Sequence, residues 1–194
     1  MRTLVAVENV SLDGVMQSPG RPDEDTRNGF DRGGWASELL MKDPEAAMAA
    51  MSGQGNVTGM VFGRRTYDDL VGFWLSNPNP NPFTEILRNT PKHVATSNPE
   101  LPHPNSFALE GDPVAAITDL KASGEGELVI LGSGMLVRTL AAARLIDRYV
   151  LTILPVVLGS GTRLFGETYA PMTVASSFVS PTGIVVATYE VNAG

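Results

Sequence analysis

Strands alternate with helices along most of the chain and then follow one another directly at its end. This order predicts an α/β fold of three layers, with a mixed, mainly parallel central sheet and a C-terminal antiparallel hairpin. Three observations carry the prediction. Apolar, β-branched runs at 3–10, 56–62, 92–97 and 127–131 are separated by segments with helix-start signals. The runs at 173–179 and 184–191 are joined only by Ser180-Pro181-Thr182-Gly183, a hairpin connection. The run 127–131 passes into Gly132-Ser133-Gly134 and then at once into a helix-forming stretch ending near Ala143.

The elements follow in order. The first strand ends in a turn, Ser11-Leu12-Asp13-Gly14. Residues 17–34 are rich in Pro, Gly and Asp and predict a long loop. A short helix is expected over 35–41. Asp43-Pro44 then pairs an N-cap with a first-turn proline and starts a second helix, ended by Gly53-Gln54-Gly55. After the strand 56–62, Gly63-Arg64-Arg65-Thr66 reads as a turn and 67–71 as a short helix. An Asn/Pro linker at 76–82 precedes a helix over 83–89 and a strand over 92–97. Residues 98–105 read as a Pro-rich loop. Asp112-Pro113 repeats the cap-and-proline signal for a helix to about Ala122, stopped by Gly124. A strand at 147–154 and a turn-rich arm at 155–166 lead to the final hairpin.

The 194 residues fit one domain, 1–194, with room for a substantial core. Apolar residues make up 43% and charged residues 18%, an ordinary globular balance. A net charge of −7 argues against nucleic acid or an anionic membrane as the main partner. Cysteine is absent, which excludes thiol catalysis, disulfides and zinc–thiolate or iron–sulfur sites. The opening residues read as a strand, not a signal peptide, and no apolar run approaches a membrane span, so a cytoplasmic location is expected. The two histidines, His93 and His103, have no partner at metal-ligand spacing, so no metal site is expected. Neither a Walker-type Gly-Lys-Ser/Thr nor a complete Gly-x-Ser-x-Gly elbow is present.

What remains lies at strand ends. Gly132, Ser133 and Gly134 lead into the helix that begins at Met135 and Leu136. Glycines let backbone approach a ligand, and the first helical N–H groups suit phosphate, although Val137 stands where a third glycine would complete the dinucleotide pattern. Gly63, Arg64, Arg65 and Thr66 put two guanidiniums and a hydroxyl after another strand, and Thr96 and Ser97 put hydroxyls after a third. In open α/β sheets ligands bind outside these carboxyl ends. Surface arginines and a bare tight turn are the competing readings, weakened by the convergence of the three segments.

These stretches, in this order, resemble the dihydrofolate reductase-like family, and most of all its branch named for the C-terminal reductase domain of bacterial riboflavin biosynthesis (RibD). The resemblance rests on Val10-Ser11-Leu12-Asp13-Gly14, on Phe62-Gly63-Arg64-Arg65-Thr66-Tyr67 and on Leu131-Gly132-Ser133-Gly134. It extends to Leu145-Ile146-Asp147 and to residues 155–165, PVVLGSGTRLF. It implies an NADPH-dependent reductase acting on a small heterocycle, pteridine or aminopyrimidine-like. The Gly63–Arg64–Arg65–Thr66 turn would hold the adenosine 2′-phosphate and pyrophosphate, and Thr96 and Ser97 would flank the adenine ribose. Gly132, Ser133, Gly134, Met135 and Leu136 would cradle the pyrophosphate. In dihydrofolate reductases that turn often holds two glycines joined by a cis peptide; here the second position is Ser133. On the substrate side the resemblance points to Asp13, Phe30 and Trp35, with Leu158, Gly159 and Phe165 approaching from the arm. The proton would come from Asp13 or from water. Relatives of this branch commonly pair, so a homodimer is expected. The carboxylate that dihydrofolate reductases carry on their first long helix has no match in Glu38, Asp43 or Glu45, which disfavours folate as the substrate. A non-catalytic nucleotide- or heterocycle-binding module of the same fold is the alternative.

Overall fold

A computed structural model describes residues 1–52 and 55–192. The strand order of its eight-stranded sheet is β4-β3-β2-β5-β1-β6-β8-β7. The sheet is mixed and mostly parallel, with antiparallel strands at the C-terminal end and helices packed around it, as the alternation predicts. The chain divides into two compact units, Met1–Val5 with Gly55–Leu145 and Ala6–Gln54 with Ile146–Gly194. The division falls within β1 (Thr3–Ser11).

In the unit containing Gly55–Leu145, β2 (Val57–Gly63) pairs in parallel with β3 (Lys92–Ala95) and with β5 (Glu127–Leu131), and β3 pairs in parallel with β4 (Ser106–Leu109). Met60, Val61 and Phe62 are all buried, as expected of a strand covered on both faces. Met60, Phe62, Tyr67, Val71, Leu87 and Val94 form a core cluster, flanked by Trp74 and Phe83. Lys92 is fully buried and donates from Nζ to the carbonyls of Leu87 (2.5 Å) and Thr90 (2.8 Å). It thereby closes the end of α5 (Pro82–Asn89), whose start is capped by Asn81 and Thr84 in a reciprocal box. Asp112 caps α6 (Pro113–Ala122) through its bond to Ala115 N, 3.1 Å.

Three details of this unit differ from expectation. The expected turn at Gly63–Thr66 is not a free turn: α3 (Arg64–Thr66) starts directly after β2, and the helix expected over Tyr67–Val71 is a wider π-type turn that carries it into α4 (Gly72–Ser76). The strand β4 was not anticipated. It has only four residues, with Phe107 exposed, and it exists through parallel pairing with β3, which is a non-local signal. β3 itself stops at Ala95, so Thr96 and Ser97 lie just beyond it.

In the other unit, α1 (Trp35–Leu40) and α2 (Pro44–Ser52) follow the long loop, which contains one 3-10 turn at Arg27–Gly29. Asp43 caps α2 as predicted, accepting from Ala46 N at 3.0 Å, and Thr182 donates to its other oxygen. The expected stop at Gly53-Gln54 lies outside the described residues. β6 (Arg148–Leu154) pairs antiparallel with β8 (Val185–Val191), and β8 with β7 (Met172–Val179), forming the predicted hairpin. A register shift interrupts the β7 ladder between Val174 and Ser176. Val15, Phe30, Trp35, Ala36, Ala46, Leu154, Leu158 and Ile184 form this unit's core.

Candidate functional site

Parallel register brings the strand ends of the first unit to one level. Gly63 lies opposite Ala95, and Val61 opposite Ile130, so the residues that follow β2, β3 and β5 emerge along one edge. Hydrogen bonds then join them. Gly63 N donates to Ser133 Oγ at 3.0 Å, and Ser133 N donates to Thr66 Oγ1 at 3.1 Å. Arg64 Nη1 donates to Asn98 O at 3.2 Å, one residue past Ser97. Thr96 Oγ1 accepts from Asn98 N at 3.1 Å and so shapes that loop.

The turn before α7 (Gly134–Ala142) is left-handed at both Gly132 and Ser133, each with φ 60°. A Cβ at Gly132 would also come within 3.1 Å of Thr66 Cγ2, tighter than ordinary contact, so glycine suits the position on two counts. Ser133 accepts a conformation uncommon for a side-chain-bearing residue, held by its two bonds. No peptide bond among the described residues is cis. Met135 is largely exposed and Leu136 is buried, which leaves backbone as what Leu136 can offer a ligand.

The two arginines differ. Arg64 Nε is committed to Asp68, at 3.0 and 2.8 Å from its oxygens. Arg65 is exposed and meets no partner among the described residues. An unengaged guanidinium beside an amide-rich turn is suited to an anion.

The residues proposed for the substrate side lie in the second unit, where Asp13 organises the arm. Its Oδ1 accepts from Ser11 Oγ (2.7 Å) and Leu158 N (3.0 Å), and its Oδ2 accepts from Gly159 N (2.8 Å). Arg163 Nε donates to Asp13 O at 2.9 Å. These bonds, led by that from Ser11, hold the carboxyl down at about 2. A carboxylate so engaged and so acidic is ionised at neutral pH and has no proton to give. Its place in the structure is that of a clasp for the arm, and of the two expected proton sources, Asp13 or water, the ionised carboxylate favours water. The stabilisation it gives is present above its unfolded value of 3.8 and is lost as pH falls toward about 2. Asp13→Asn is expected to abolish that acid-dependent step and to speed hydrogen exchange at the amides of Leu158 and Gly159 at neutral pH.

Gln17 is a second tie that sequence reasoning passed over. Its Oε1 accepts from Thr162 N (2.8 Å) and Oγ1 (3.0 Å), and its Nε2 donates to the carbonyls of Asp25 and Arg27. Trp35 Nε1 donates to Gln17 O at 2.9 Å. Phe30, Trp35 and Leu158 do come together, but as core: they are 5%, 7% and 3% exposed. Gly161, at φ 113°, has Val15 Cγ1 2.7 Å and Phe30 Cε2 2.8 Å from where a Cβ would stand, so the arm packs directly on that core. Phe165 is 44% exposed and lies edge-on to Tyr149, ring centroids 5.4 Å apart.

Glu8 on β1 also escaped sequence reasoning. It is 4% exposed, and its Oε1 is sealed from solvent without a hydrogen-bond partner. Burial raises its pKa well above the ordinary carboxyl value. Among the described residues no group of three or more His, Cys, Asp or Glu could hold a metal ion, and no helix is long and apolar enough to cross a membrane.

This sheet order, with a terminal antiparallel hairpin and glycine turns at the parallel strand ends, defines a dihydrofolate reductase-like protein. The family model described as the RibD C-terminal domain matches residues 2–186. The chain belongs to the RibD C-terminal domain family. It is similar to a candidate riboflavin biosynthesis protein from Shewanella sp. PV-4, at 27% identity over 100% of both chains with a TM-score of 0.65. Its fold also matches that of dihydrofolate reductase from Enterococcus faecalis complexed with NADP(H), at 19% identity, 98% and 97% coverage and a TM-score of 0.57. A pyrimidine reductase-like protein from Corynebacterium diphtheriae shares the fold at 14% identity, 100% and 93% coverage and a TM-score of 0.59. None of the curated proteins matches the chain.

Proposed function

We propose that this protein is an NADPH-dependent reductase of a small heterocycle, pteridine or aminopyrimidine-like. The observation that carries the proposal is the linked strand-end edge: Gly63, Thr66 and Ser133 are hydrogen-bonded together while Arg65 meets no partner among the described residues. That donor set fits a dinucleotide's phosphates. The amides at the start of α7 and the Arg65 guanidinium would hold pyrophosphate and 2′-phosphate, with Thr96 and Ser97 beside the ribose. When bound, NADPH would supply hydride. The chain's own contribution is placement, and orientation of two reactants can account for ~7–11 kcal/mol of a barrier.

The family's reductase character and its riboflavin-pathway relatives support the same reading. The proposed locale is the cytoplasm and the proposed assembly a homodimer. One observation favours the second reading, a binding module without turnover: the carboxylate of Asp13, one of the two expected proton sources, is engaged by Ser11, Leu158 and Gly159 and held at about 2. NADPH oxidation followed by absorbance against a panel of pteridines and aminopyrimidine ribitol phosphates separates the two. Oxidation with at least one member is expected; NADPH binding with no oxidation across the panel would leave the module.

A further inference from the structure

Tyr67 is fully buried in the core cluster of the unit containing Gly55–Leu145, where α3 passes into the wider turn. Phenylalanine would fill that core as well, and a hydroxyl taken out of water must find partners. Both partners of this phenol come from one place, the connection between β3 and β4. Tyr67 Oη donates to Ser106 Oγ at 3.0 Å and accepts from His103 N at 3.2 Å. The His103 ring stands edge-on to the Tyr67 ring, centroids 5.5 Å apart, and its Nε2 lies 3.5 Å from where a Cβ on Gly72 would stand. The hydroxyl thus serves the connection and not the core around it.

That connection needs outside support. Residues 96–105 contain no helix or strand, and Pro99, Pro102 and Pro104 have no N–H to donate. Its start is tied by Arg64 Nη1 to Asn98 O, and its end by Lys92 N to Asn105 O at 2.7 Å. Its middle is tied by Tyr67 to His103, with Leu101 packed on the same core cluster. The ties from Arg64 and Tyr67 run from the segment that carries Arg65 and Thr66, and the connection itself opens with Thr96 and Ser97.

We propose that Tyr67 is a positioning residue for the adenosine half of the cofactor, its hydroxyl fixing where the β3–β4 connection stands relative to the arginine turn. This rests on the reductase reading above. The phenol is buried and acts through the loop, whose first residues would flank the ribose while Arg65 meets the 2′-phosphate. Two segments grip one ligand well only if the span between them is already set in the free protein, because ordering it on binding subtracts from affinity. Arg64 and Tyr67 hold the same loop, so their contributions to binding should be coupled.

The test is Tyr67→Phe, which keeps the ring and removes the hydroxyl. Ser106→Ala, which takes away the phenol's acceptor and leaves the ring in place, carries the same test should Tyr67→Phe not fold. Calorimetric titration is made with NADPH and with adenosine 2′,5′-bisphosphate, which has the adenosine half alone. Tyr67→Phe is expected to weaken both ligands about 10-fold, and Ser106→Ala to weaken both by less. Combined with Arg64→Ala, Tyr67→Phe should add little to the loss; a role confined to core stability would leave affinity in the folded protein unmoved. Unchanged affinity for both ligands in the folded variant, or losses that add fully with those of Arg64→Ala, overturns this inference and leaves the reductase reading standing. Failure of wild type to bind either ligand brings down both together.

Discussion

Arg65→Ala is expected to weaken NADPH binding by about 10- to 100-fold and to leave NADH almost unchanged. The magnitude follows from one charge-assisted contact to phosphate, ~1.5–3 kcal/mol, at about 1.4 kcal/mol per decade. Arg64→Ala should behave differently. Arg64 is already shared between Asp68 and the Asn98 carbonyl, so its loss loosens the loop that follows β3 and should weaken the two cofactors alike. Calorimetric titration of both variants with both cofactors gives four affinities. If Arg65→Ala lowers NADPH and NADH equally, its guanidinium does not read the 2′-phosphate, and the proposed specificity is wrong at its central residue.

The largest stability effect is expected from Trp35→Ala, at about 3–5 kcal/mol. The side chain is 7% exposed, packs with Phe30, Val15 and Leu158, and donates to the Gln17 carbonyl at 2.9 Å. The substitution opens a void and strips that carbonyl of its donor. Gln17 in turn holds Thr162, so the arm should loosen as well. Trp35→Phe should cost less, because most of the packing volume is kept. Urea unfolding monitored by circular dichroism measures both. A near-neutral Trp35→Ala would mean the indole is a substrate wall that the fold does not need.

Much of this was legible in the residues. Asp43-Pro44 and Asp112-Pro113 announced their helices because an N-cap and a first-turn proline act locally, and both caps are seen. The strand ends that carry Gly63–Thr66 and Gly132–Leu136 were visible because parallel topology sends successive strands to one edge. What was not legible depends on contacts distant in sequence. β4 is four residues that become a strand only against β3. Asp13 reads as a turn residue with a free carboxylate until Leu158 and Gly159 arrive from 145 and 146 residues away. Glu8 reads as a polar position in a strand, since no pattern in a single sequence says whether a glutamate faces water or is sealed from it. The division between the two arginines was hidden for the same reason: Asp68 is near in sequence, but Asn98 is not.

The two rims of the sheet carry different hazards for the cell that makes this protein. An unpaired strand edge is a template on which other chains can polymerise. β4 limits that risk by brevity, with only four residues to offer. β7 is twice as long and displays Val174 and Val179 to solvent. Its irregularity between Val174 and Ser176 breaks the straight run of backbone groups that a fibril would need, so a kink in one ladder helps keep the chain from self-templated growth.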